Sequence, residues 1–101
     1  MSINLSFHRI HDANKLTGSN FNDWYRNLKL VLKRERMLYV LNEPIPKEPA
    51  ADFGEKAWEV YETHKDNATQ ASCIMVASMT LELQRQHKNM DPPSIILHLK
   101  E

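Results

Sequence analysis

One cysteine, two glycines and no apolar run long enough to span a bilayer set the first limits on this chain of 101 residues. A lone Cys73 cannot close an internal disulfide and suits a reducing compartment. Gly18 and Gly54 cannot build a phosphate-cradling loop of any known spacing. So few glycines also argue against an all-β chain rich in tight turns. The longest apolar stretch, around residues 73–79, falls far short of the roughly 20 residues that a membrane-spanning helix needs. Residues 1–15 carry polar and charged residues throughout, between the apolar Ile3, Leu5, Phe7 and Ile10, and contain no apolar segment of a secretory signal. There is no internal repeat and no low-complexity tract. The expectation is a soluble, cytoplasmic chain that meets no membrane.

Excess charge is also lacking, since thirteen basic residues balance thirteen acidic ones. The balance is uneven along the chain. Residues 1–40 hold seven basic and three acidic side chains, and residues 41–101 hold six and ten. The two halves therefore carry +4 and −4. Opposite patches of this kind favour encounter between copies, because charge arrangement governs approach and specificity more than raw affinity.

What is present is helical periodicity. In residues 16–32, Phe21, Trp24, Tyr25, Leu28, Val31 and Leu32 recur at spacings of three and four, which places them on one helix face. Ser19 or Asn20 can cap this helix with a side-chain oxygen, and Asp23 suits the positive end of its dipole. The spacing predicts a first helix over 21–36, then a short turn or helix over 37–42 carrying Leu38, Val40 and Leu41 inward. Residues 43–49 contain three prolines and read as a rigid connector that no helix crosses. A long helical block over 52–79 follows, with a break allowed near Asp66 and Asn67. Its aromatic pair Trp58 and Tyr61, with Ala57, Ala68, Ala71, Met75 and Met79, keeps helical spacing. Residues 71–79 are small or apolar on nearly every side and read as the most buried helix. Residues 80–87 predict a short helix turning Leu81 and Leu83 inward. Asp91 then caps a last helix with Pro92 at its first position, and Ile95, Ile96 and Leu99 face the core. The fold expected is all-α, a small bundle of four to six helices with a proline-rich connector. An arm over 1–15 precedes a helical domain over 16–101.

Leu16, Gly18, Asn20, Phe21 and Trp24 form a Leu-x-Gly-x-Asn-Phe-x-x-Trp pattern. With the prolines of 44–49, the block over 58–86 and the segment over 90–101, it resembles the N-terminal part of the capsid-like domain in the Gag polyprotein of copia-type LTR retrotransposons, abundant in plant genomes. The likeness covers residues 12–101. It implies a non-enzymatic structural protein that assembles with itself or with full-length Gag relatives around the RNA of a transposable element. It also implies a domain truncated at its C-terminal end, because the family pattern adds further helices and a CCHC zinc knuckle. The signature residues carry over as architectural ones that fix the approach to the first helix.

Little else points to chemistry, and no cofactor, metal or small-molecule substrate is expected. Cys73, inside the apolar block, reads as a small hydrophobe. His8 and His11 read as solvated residues of the arm. His64, His87 and His98 read as isolated helix residues, exposed or capping rather than metal ligands. Trp24, Tyr25, Trp58 and Tyr61 read as core packing, as do Met75 and Met79. Arg26, Lys29, Lys33, Arg34 and Arg36 form a basic stripe on the first helix. It reads as a solvated face, with assembly contacts or RNA phosphates as its functional uses. The alternative function is therefore a small RNA-binding module acting through that stripe, although the chain lacks the aromatic and glycine pattern of an RNA-recognition fold.

Overall fold

A computed structural model describes residues 15–100. Those residues form four α-helices and one 3₁₀ helix, with no strand among them. Helix α1 spans Phe21–Arg34, the 3₁₀ helix Leu38–Leu41, α2 Glu55–Ala77, α3 Leu81–His87 and α4 Pro92–Lys100. The small all-α bundle expected from periodicity is the fold observed. The arm expected over 1–15, with His8 and His11, lies outside the described residues except for Lys15.

Helix α1 buries Trp24, Leu28, Val31 and Leu32, with Phe21 and Tyr25 packed half-buried beside them. It stops two residues earlier than the sequence predicts. The Arg36 N–H donates to the Lys33 carbonyl at 3.1 Å and the Met37 N–H to the Leu32 carbonyl at 2.8 Å. Arg36 itself takes a positive φ of 61°. This is the Schellman closure, which satisfies the last carbonyls with one left-handed residue, most often glycine. Met37 and Leu32 are both buried in the core cluster, in keeping with the apolar pairing that accompanies this closure. The chain then turns into the 3₁₀ helix, which buries Val40 and Leu41.

The connector runs through residues 43–50 without helix. Trp58 donates its indole N–H to the Ala50 carbonyl at 3.3 Å and so ties the connector to the start of α2. Gly54, at φ 96° and ψ 163°, sets that start in a backbone region almost closed to other residues. Helix α2 is continuous across Asp66 and Asn67, so the break allowed there is absent. The reason is local. Asn67 donates its side-chain amide to the Tyr39 hydroxyl at 2.8 Å instead of competing for its own backbone.

Two inward expectations fail on helix phase. Cys73 is exposed, because Ala71, Ile74 and Met75 at spacings of three and four own the buried face, and Cys73 sits across from them. Leu81 is 61% exposed, since Leu83 and His87 hold the inner side of the short α3 and Leu81 lies two residues off that line. Trp58 and Tyr61 are half-buried and pack edge-to-face on each other at 5.8 Å, outside the central core. Helix α4 begins at Pro92, the first position that the sequence predicts. The Asp91 carbonyl accepts from the Ile95 N–H at 3.0 Å, and its carboxylate accepts from the Ser94 hydroxyl at 2.6 Å. Ile95 and Ile96 enter the core.

Candidate functional site

Two of the signature residues, Leu16 and Trp24, meet at one point of the core. Leu16 is fully buried, and its backbone pairs in both directions with the α2–α3 junction. Its N–H donates to the Ser78 carbonyl at 2.8 Å, and its carbonyl accepts from the Thr80 N–H at 3.0 Å. Trp24, also fully buried, donates its indole N–H to the Ser78 hydroxyl at 2.9 Å. Ser78 in turn donates its hydroxyl proton to the Met75 carbonyl at 2.8 Å. Between Leu16 and Trp24 the chain must turn sharply, and Gly18 does so at φ 117°. No atom crowds the position of a Cβ there, so backbone conformation alone asks for glycine.

Asn20 stands at the helix start but does not cap it with its side chain. Its side-chain oxygen accepts from the Thr17 N–H at 2.9 Å and the Thr17 hydroxyl at 3.1 Å. Its amide donates to the Lys15 carbonyl at 2.9 Å. The side chain is spent on holding the turn, which corrects the expectation of a cap from Asn20. Phe21 stacks on Tyr25 at 5.2 Å.

Four of the basic residues lie on the exposed side of α1, and Arg36 follows its C-terminal end. Arg26, Lys29, Lys33, Arg34 and Arg36 are all exposed. Arg26 pairs with Asp23 at 2.8 Å in a solvent-exposed bridge. The Lys29 ammonium lies 4.5 Å from the Tyr25 ring centre, and the Lys100 ammonium approaches the same ring at 5.6 Å. Lys33, Arg34 and Arg36 have no carboxylate partner among the described residues. Leu30, 62% exposed, sits within the basic residues. The face is thus cationic with an apolar centre, a composition that suits contact with a macromolecule.

His98 is exposed as expected, but His87 and His98 are not isolated. His87 is buried, at 1% exposure, and His98 lies against it with Nε2 and Nδ1 2.7 Å apart. The other nitrogen of His87 is 2.8 Å from the Leu83 carbonyl. Spacing along one helix could not disclose this pair, because its members belong to α3 and α4. His64 is half-buried, edge-on to Tyr39 at 4.9 Å. Among the described residues no three of His, Cys, Asp and Glu gather into a potential metal site. None of the described helices is long and apolar enough to cross a membrane.

An open groove of about 390 Å³ runs between α2 and the start of α4, lined by Ser72, Cys73, Val76, Lys88, Met90 and Pro92 among others. A further feature of α2 is carried by spacing and hidden by the charge totals. Glu55, Glu59, Glu62 and Asp66 follow spacings of four, three and four along the helix, and all are exposed. Comparison with protein-family models, curated proteins and solved structures finds no match to this chain.

Proposed function

We propose that the protein is a non-enzymatic interaction module that self-associates through the basic face of α1, in the manner of the capsid-like domain its sequence resembles. The observation that carries this reading is the exposed Leu30 set among Arg26, Lys29, Lys33 and Arg34, of which only Arg26 is neutralised by a carboxylate within the described residues. A helix face kept solely for solubility mixes both signs of charge. This face sets four basic side chains against one acidic one, Asp23, around an apolar side chain. The core-facing signature residues supply support to it, since Leu16 and Trp24 fix α1 on the α2–α3 junction. Partners of this kind are further copies of the chain or longer relatives with the same domain, met in the cytoplasm.

A second reading, RNA binding, uses the same cations as phosphate contacts. One set of substitutions separates the two. Lys29→Glu, Lys33→Glu and Arg36→Glu are combined, then association and binding of a labelled single-stranded RNA are read on the same sample. Loss of association with the native chain indifferent to RNA supports the assembly reading. Loss of RNA binding with association intact replaces it with the second.

A further inference from the structure

The basic face has a counterpart on this same chain. Glu55, Glu59, Glu62 and Asp66 recur at positions i, i+4, i+7 and i+11 of α2, which at 3.6 residues per turn is a single straight line. All four are exposed, and none forms an ion pair among the described residues. Ala68, Ala71 and Met75 are buried in the core, so the acidic line looks outward. On α1, Arg26, Lys29 and Lys33 recur at i, i+3 and i+7, with Leu30 between them. With a rise of about 1.5 Å per residue, the acidic line extends about 16 Å and the basic line about 10 Å. Both lines are straight, face solvent and carry opposite sign. They also account for much of the separation of +4 and −4 between the two parts of an electroneutral chain.

We propose that the basic line of α1 in one copy docks along the acidic line of α2 in a second copy. The proposal rests on the self-association reading above and names the surface that receives α1. Since each copy carries both lines on different helices, the contact joins unlike patches, and every added copy presents a fresh line of each kind. Such heterologous contacts close into rings or propagate as open chains, according to the rotation between neighbours. Single exposed pairs contribute little, so the effect must come from several charges in register and must weaken in salt.

A charge-exchange experiment tests this. One variant carries Lys29→Glu and Lys33→Glu, the other Glu59→Lys and Glu62→Lys. Each is examined alone and in equimolar mixture by sedimentation velocity. Each alone associates at least about tenfold more weakly than the native chain, because two attractive pairs become repulsive. The mixture recovers association, since each variant's altered line now meets its complement on the other. If the Glu59→Lys and Glu62→Lys variant associates like the native chain, or if the mixture gains nothing over its components, the pairing is overturned while self-association stands. If the native chain is monomeric at every concentration and salt level, the underlying reading fails as well. Far-UV circular dichroism checks the helices of each variant. Where a double variant loses them, the single changes Lys33→Glu and Glu62→Lys, mixed in the same way, decide between the same outcomes.

Discussion

Trp24 and Ser78 stand 54 positions apart in sequence and meet in the core, where the indole N–H donates to the serine hydroxyl at 2.9 Å. Both side chains are buried, and the Leu16 backbone closes over the same junction. Ser78→Ala leaves a buried indole N–H without its acceptor, at a cost of about 1–3 kcal/mol. Trp24→Phe removes the donor and shrinks the ring, with a cost in the same range or above. In urea denaturation the double variant should cost less than the sum of the singles, because the second change finds the bond already broken. Additive costs would show that the two residues are not coupled.

Arg36 is the one non-glycine residue with positive φ among those described. Glycine occupies such a position without the Cβ penalty. Arg36→Gly should raise the stability of the chain by about 0.5–1 kcal/mol, seen as a higher urea midpoint at unchanged slope. Arg36→Val should lower it.

Gly54 is the converse case. Its φ of 96° with ψ of 163° is a combination that residues with a Cβ rarely hold. Gly54→Ala should destabilise by about 1–3 kcal/mol although nothing lies within 4 Å of the new methyl group. The loss should come with a shortened first turn of α2, read as faster amide exchange at Lys56 and Ala57.

The contact between His87 and His98 fixes proton positions. His87 Nδ1 faces the Leu83 carbonyl, which can only accept, so in the neutral pair that nitrogen carries the proton. His87 Nε2 is then an acceptor, and His98 must donate from Nδ1 across 2.7 Å. Both rings should therefore be Nδ1–H tautomers, a form that long-range proton–nitrogen NMR correlations distinguish directly. An Nε2–H signal on neutral His87 would contradict the contact. His98→Ala should cost about 1 kcal/mol through loosened docking of α4 on α3.

The places where the sequence was legible follow from helix phase. Phe21, Trp24, Leu28, Val31 and Leu32 lie on a clean stripe bounded by charged residues, so both helix and face could be read. Asp91 and Pro92 mark a helix start by backbone chemistry that needs no tertiary context. Residues 71–79 are apolar or small all round, and composition there cannot tell the buried side from the open one. Cys73 is exposed for that reason, and it should react with a thiol reagent in the folded protein without denaturant. Slow labelling limited by unfolding would place it inside. Leu81 failed for a related cause, since a helix of two turns offers too few residues to define a face. The pairing of Trp24 with Ser78 and of His87 with His98 depends on how helices cross, which periodicity within one helix does not contain. The acidic line of α2 was legible by spacing alone. The equal numbers of charges in the whole chain obscured it.

The most direct measurement is sedimentation velocity of the native chain over a concentration series at about 0.1 M and about 1 M salt, where the screening length falls from about 10 Å to about 3 Å. Self-association through charged helix faces predicts species that grow with concentration at the lower salt and recede at the higher. A single compact monomer at every concentration and both salt levels would contradict it.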